Sequence, residues 1–175
     1  ADFKGLLKAA YYDPNPVVFL EHKGLYWSKV KGTDAARVNE PSEDYMLPFG
    51  KANIVQEIWE QETEETISVI TYGMGVHWAL NASADIKNQV EIIDLRTLYP
   101  LDEEAILKSV RKTKKCLVVT EEPTNNSFAR SLAGLIQEKC FRNLDAPVMV
   151  IGSENMPAIP LNSTLEFTMI PNVDK

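Results

Sequence analysis

The chain has 175 residues, 45% of them hydrophobic and 25% charged, enough to bury one good core and ordinary for a soluble globular fold. Its 25 acidic against 18 basic residues leave a net charge of −7, which argues against nucleic acid as a partner, because neutralising phosphates needs clustered Lys and Arg. No apolar run approaches the roughly 20 residues a bilayer span needs.

In chain order, Phe3, Leu6, Leu7 and Ala10 share one face of a helix predicted over Phe3 to Tyr12, with Asp2 placed to cap it. Asp13-Pro14-Asn15-Pro16 then breaks the helix, since each proline drives its predecessor toward extended geometry. Val17-Val18-Phe19-Leu20 is a continuous apolar run that reads as a buried strand. From Lys23 to about Pro48 periodicity disappears, and the polar stretch Lys29 to Asp44 reads as an interdomain linker.

A second block follows. Ala52 to Ile58 is a short strand, Glu60 to Glu65 an acidic turn, and Thr66 to Tyr72 a β-rich run ending at Gly73. Val76 to Lys87 has helical spacing through Ala79, Leu80, Ser83 and Ile86, and Val90 to Leu95 is another buried strand. Asp102 caps a helix with Glu103 and Glu104 in its first turn and Lys108, Arg111 and Lys112 near its end, a match to the helix dipole. Cys116 to Thr120 is a third buried strand, Phe128 to Cys140 an amphipathic helix, and Pro147 to Ile151 a fourth strand. The tail after Gly152 shows no clear element. This alternation predicts an α/β fold: a mostly parallel open sheet with helices on both faces.

Cys116 and Cys140 read as two reduced, packed thiols, with a single disulfide as the alternative. The sequence has no targeting or lipidation motif, so the cytoplasm is the expected compartment. It opens at Ala1 with Asp2 leading straight into the helix, which suits a piece of a longer chain or removal of an initiator Met.

Candidate chemistry is sparse. Gly73-Met74-Gly75 joins a strand to a helix, where dinucleotide folds bind phosphates, but the third glycine of that fingerprint would fall at Trp78. A plain tight turn is preferred. Neither His22 nor His77 has a His or Cys partner at metal-ligand spacing. Glu21-His22-Lys23 ends a predicted strand at the edge where α/β sheets gather ligands; salt-bridged packing against the linker is favoured over a functional role. Glu121 and Glu122 sit at another such edge, and adjacent strand residues point opposite ways, so they should not converge on one substrate. Asp94 and Arg96 are read as an ion pair fixing a domain contact. Asp13 and Asn15, beside a helix C-terminus, offer oxygen ligands for a hard cation, although a turn explains them better.

Three segments, DPNPVVFLEHKGLY (Asp13 to Tyr26), VEIIDLRTLYPLDEEAILKSVRKT (Val90 to Thr113) and CFRNLDAPV (Cys140 to Val148), resemble the beta subunits of thiamine-diphosphate-dependent 2-oxo acid dehydrogenases in order and separation. The resemblance implies three parts: residues 1–26 as the end of a pyrimidine-binding domain, 27–47 as a linker, and 48–175 as a transketolase C-terminal domain. It implies oxidative decarboxylation of pyruvate or a branched-chain 2-oxo acid, with the acyl group passed to lipoamide. Thiamine diphosphate and Mg²⁺ would belong to the full-length enzyme; no catalytic and no cofactor-binding residue is assigned here, and the isolated chain is expected to be inactive. The implied partners are an alpha-type half, fused or separate, and a lipoyl acyltransferase core, within a homo- or hetero-oligomer such as a dimer. A structural K⁺ site is implied at Ala10, Asp13 and Asn15. One departure is Thr120-Glu121-Glu122-Pro123, where the family often has His-Glu-Ala-Pro. Alternatives are the C-terminal domain of a transketolase or deoxyxylulose-phosphate synthase, or a freestanding nucleotide-binding module.

Overall fold

The computed structural model describes residues 1–26, 30–58 and 65–173. Its centre is a five-stranded sheet of β1 (Asn53–Gln56), β2 (Ile67–Thr71), β3 (Val90–Asp94), β4 (Cys116–Pro123) and β5 (Met149–Ser153), in the order β1-β3-β2-β4-β5. Strands β3, β2, β4 and β5 run parallel, and β1 closes one edge antiparallel to β3. Helices α1 (Asp2–Tyr12) and α2 (Lys23–Tyr26) precede the sheet, α3 (Met74–Ala82), α4 (Glu103–Thr113) and α5 (Phe128–Cys140) connect its strands, and α6 (Ser163–Met169) follows it. The predicted α/β architecture is therefore the observed one.

Side chains alternate across each strand, so the sheet feeds two separate cores. On one face Ile70, Ile93 and Val118, none of them exposed, pack with Ile106 and Val110 of α4 and Leu132 and Ile136 of α5. On the other face Val69, Ile92 and Val119 pack with Ala79 of α3. Burying a side chain of this size stabilises by about 1.5–3 kcal/mol. Buried on both faces, the central strands carry near-continuous Val and Ile. Caps hold the helices on these cores. Asp102 Oδ1 accepts from the Ala105 amide at 3.2 Å and Ser127 Oγ from the Arg130 amide at 3.2 Å, each satisfying an orphan donor. Asp102 Oδ2 also accepts from the Ala52 amide, tying β1 to the start of α4.

Four expectations need correction. Val17 to Leu20 is not a strand: it has no ladder partner among the described residues, and Val18 and Leu20 are 85% and 78% exposed. Apolar β-formers give a strand only where a neighbour accepts their backbone hydrogen bonds. Asp2 does not cap α1, whose N-cap is Ala1; its carboxylate leaves the helix for Arg96. Helix α3 stops at Ala82 rather than Lys87: Ser83 is its C-cap, and the Asn81 side chain donates outward to the Gly32 carbonyl at 2.8 Å. The tail holds α6, capped by Asn162, whose Oδ1 accepts from the amides of Thr164 and Leu165. The acidic turn expected at Glu60 to Glu65 lies, except for Glu65, outside the described residues.

The segment between α1 and β1 contains α2 and a 3-10 turn at Asp34–Ala36. It lies against what precedes it: the Leu47 amide donates to the Gly5 carbonyl at 3.2 Å, and Lys4 pairs with Glu40 at 2.8 Å. A Cβ on Gly5 would meet Leu47 and Tyr45 at 2.8 Å, so glycine permits that approach.

Candidate functional site

The strand order reverses between β2 and β4. From β2 the chain moves outward to β3, and from β4 it moves the other way to β5. Open α/β sheets bind ligands in the crevice beyond the carboxyl ends of the two strands where this reversal occurs. Here the crevice is bordered by Tyr72 and Gly73 after β2, and by Glu121 and Glu122 at the end of β4.

Local chemistry shapes this edge. Gly73 has φ +57° and ψ −126°, a conformation that suits glycine as the N-cap of α3. A Cβ on Gly75 would sit 2.0 Å from Thr71 Oγ1 and 3.3 Å from the Val119 carbonyl oxygen. Gly73-Met74-Gly75 is thus the tight turn expected, and Gly75 adds a close helix-to-sheet approach. The pairing of β4 with β5 shifts between Val119 and Pro123, which re-aims the end of β4.

The two carboxylates diverge, as the alternation of strand residues requires. Glu122 turns inward: it accepts from the Tyr72 hydroxyl at 2.8 Å and from the Phe128 amide at 2.9 Å. The Thr120 hydroxyl lies 2.8 Å from that of Tyr72, and burial pushes the Tyr72 phenol well above its ordinary range. This makes Glu122 a structural brace for the start of α5. Glu121 turns outward, and its Oε2 lies 3.0 Å from His22 Nε2. Their side chains are 46% and 31% exposed, so the pair is open to solvent.

His22 comes from the segment before the linker, 99 residues away in sequence. Of the Glu21-His22-Lys23 trio, it is the imidazole that reaches the edge. His77, on the first turns of α3, is buried, and its Nδ1 has no hydrogen-bond partner. Burial, and then the neighbouring His22, hold the His77 imidazole below its ordinary range. An imidazole beside a carboxylate can store and deliver a proton.

Asp94 and Arg96 do not form the expected side-chain pair. Asp94 Oδ1 accepts from the Arg96 backbone amide at 3.1 Å. The Arg96 guanidinium instead grips both carboxylate oxygens of Asp2, at 2.7 and 3.1 Å. A contact between the N-terminal helix and the sheet does result, through a different acid. Burial pushes the Asp94 carboxyl up to about 6.

Ala10, Asp13 and Asn15 do lie together. Asp13 Oδ1 accepts from the Asn15 backbone amide at 2.9 Å and from its Nδ2 at 3.0 Å, while the Asp13 amide donates to the Ala10 carbonyl at 3.4 Å. These bonds make a turn of the kind Asp and Asn form readily. The donor set is all oxygen, which suits a hard cation in type. No group of three or more His, Cys, Asp or Glu able to hold a metal occurs among the described residues.

Cys116 and Cys140 are buried and unbridged, and burial pushes the Cys116 thiol up to about 12, as befits an inert packing group. An apolar cavity of about 290 Å³ lies between α3 and the sheet, lined by Ile67, Val69, Trp78, Leu117, Ile151 and Val173. Sequence reading missed it, because it exists only where the tail folds back over α3. No helix among the described residues is long and apolar enough to cross a membrane.

Comparison with known proteins adds to this geometry. Residues 53–175 match the family model described as transketolase, C-terminal domain. Among curated relatives, 2-oxoisovalerate dehydrogenase subunit beta of Bacillus subtilis is 41% identical, over 99% of this chain and 50% of its own length. Pyruvate dehydrogenase E1 component subunit beta of Rhizobium meliloti is 36% identical, over 99% of this chain and 35% of its own. Acetoin:2,6-dichlorophenolindophenol oxidoreductase subunit beta of Cupriavidus necator is 36% identical, over 98% and 47%. The chain thus spans between about a third and a half of these relatives. A solved structure titled split gene transketolase, inactive beta4 tetramer, aligns with TM-score 0.58 and 18% identity, covering 78% of this chain and 43% of that one. It supports the fold alone. With most of its length inside that family model and its sheet in the matching region, the chain belongs to the family of transketolase C-terminal domains.

Proposed function

We propose that this chain is the C-terminal structural, dimerisation and docking part of the dehydrogenase component of a 2-oxo acid dehydrogenase complex. The observation that carries the reading is the 41% identity to a 2-oxoisovalerate dehydrogenase beta subunit along 99% of this chain. In this reading residues 1–26 end a pyrimidine-binding domain, 27–47 link, and 48–175 form the transketolase C-terminal domain. The longer enzyme decarboxylates pyruvate or a branched-chain 2-oxo acid oxidatively in the cytoplasm and passes the acyl group to lipoamide. It works with an alpha-type half and a lipoyl acyltransferase core.

Thiamine diphosphate supplies the carbon nucleophile of such a reaction when bound. It and its Mg²⁺ belong, in this reading, to parts of the enzyme beyond these residues. What this chain contributes is support and one face of the crevice. Its half-open carboxyl edge, with His22 beside Glu121, is the part suited to face reacting groups. The reading also assigns Ala10, Asp13 and Asn15 to a potassium site whose other ligands come from elsewhere.

The test compares the chain alone with the full-length protein, each offered pyruvate, 2-oxoisovalerate and a pentose phosphate. The expected result is turnover of a 2-oxo acid by the full-length protein and none by the chain. Turnover by the chain alone would refute the division of roles. Turnover of only the pentose phosphate by the full-length protein would favour a transketolase instead.

A further inference from the structure

His22 Nε2 reaches Glu121 Oε2 at 3.0 Å across 99 residues, yet little in its own segment fixes the ring. Residues 17–20 have no ladder partner among the described residues, and Val18 and Leu20 are mostly exposed. Phe3 meets Phe19 and Tyr26 edge-on, at ring-centroid distances of 5.3 and 5.8 Å, which holds the chain on either side of His22. The imidazole itself depends on other neighbours.

Those neighbours lie in the polar stretch that follows. A Cβ on Gly24 would stand 3.0 Å from both His22 Cε1 and Val30 Cγ2, so the ring and the Val30 side chain share the space that glycine leaves open. The Val30 carbonyl accepts from Thr33 Oγ1 at 2.7 Å, and Thr33 is 1% exposed although the sequence around it is polar. Directly before Thr33, the Gly32 carbonyl accepts from Asn81 Nδ2 at 2.8 Å. Gly32 has φ +81°, and a Cβ there would lie 2.7 Å from Asn81 Nδ2. The position thus needs glycine twice, for its backbone and for the close approach of Asn81. Asn81 lies near the end of α3, about 12 Å along the helix from Gly73 at its start. Neighbouring groups therefore run without a break from the far end of α3 through Gly32, Thr33, Val30 and His22 to Glu121.

We propose that Asn81 and Gly32 are positioning residues for His22: by fastening residues 30–33 to the far end of α3, they set Val30 as the wall that keeps the imidazole against Glu121. A single hydrogen bond open to solvent contributes little by itself. Its effect here comes through packing. Glycine at 24 and at 32 lets the two segments approach closely, and a ring held between Val30 and Glu121 has few orientations left. The carboxyl edge is thereby coupled to the opposite end of the helix that begins there. This coupling deepens the reading above, which makes that edge the part suited to face reacting groups.

The chain has two histidines in all, and His22→Gln identifies the His22 ring signals in a carbon–proton NMR spectrum. Glu121→Gln removes the carboxylate directly and sets the direction and size of the displacement when the contact is lost. Asn81→Ala, checked for folding by its amide spectrum, should move the His22 signals the same way by at least about half as much, as coupled neighbours do. Gly32→Ala acts on the same contact from the other side and should match it, which keeps the coupling testable if one variant fails to fold. Lys139→Ala, which cuts the exposed pair with Glu103 on the other face of the sheet, should leave the signals in place. Signals unmoved in folded Asn81→Ala or Gly32→Ala would overturn the coupling. So would an equal displacement in Lys139→Ala, or signals that even Glu121→Gln leaves unmoved. The spectra are read on the chain itself without turnover, so failure of the coupling and failure of the dehydrogenase reading are distinguishable.

Discussion

The sheet domain and the segment before it use the same kinds of residues with opposite results. Ile70, Ile92, Ile93 and Val118 are fully buried in strands, whereas Val18 and Leu20 lie outside any helix or strand and are mostly exposed. Tyr11 and Tyr12 are exposed too, at 83% and 73%. What differs is neighbours: each central strand has hydrogen-bonded strands on both sides and helices above and below. The contrast teaches that an apolar β-rich run becomes a strand when something receives its backbone and both its faces.

Truncating a side chain should separate the regions most sharply. Ile106→Ala, at a position with no exposure, should cost about 3 kcal/mol in a denaturant titration, as expected for a buried Ile. Val18→Ala should change stability by less than about 0.5 kcal/mol in the same assay. Equal losses would mean that Val18 is packed in the isolated chain, contrary to the account.

The link between the regions offers the next effect. Asp2→Ala removes both hydrogen bonds to Arg96 and leaves a guanidinium whose side chain is 16% exposed without its carboxylate. A loss of about 1 kcal/mol is expected. Amide exchange should accelerate in α1 while the central strands are unaffected. Uniform acceleration would instead mean that the two regions unfold as one unit.

Asp94 gives a smaller, pH-dependent effect. Burial raises its folded pKa to about 6, above the unfolded value. The folded state thus binds the proton more tightly, and the stabilisation is fully present below about pH 4 and lost as pH rises through about 6. Asp94→Asn keeps an acceptor for the Arg96 amide and removes the titration. It should be more stable than the parent at pH 8 by about 1 kcal/mol, the gap closing at pH 4. A gap independent of pH would contradict the assignment.

Much of the domain was legible because local and tertiary signals agree there. Helix α5 runs over the predicted Phe128 to Cys140, and Asp102 caps α4 as expected. The end of α3 was obscured because Ile86, which continues the helical spacing, lies past the Ser83 C-cap and is 47% exposed. The capping signal of α6, Asn162 ahead of Glu166 in the first turn, is visible in retrospect. At the edge, chain pattern foretold that Glu121 and Glu122 diverge. It could not foretell that His22 meets Glu121 across 99 residues, since such a contact depends on how the linker folds back. Arg96 likewise chose Asp2 over its near neighbour Asp94 for reasons visible only in three dimensions.

Hydrogen–deuterium exchange along residues 16–22, compared between this chain and the full-length dehydrogenase component we propose, tests the central claim most directly. The account predicts near-unhindered exchange in the chain and strong protection in the longer protein, with β2, β3 and β4 protected in both. Equally slow exchange of 16–22 in the two proteins would contradict it.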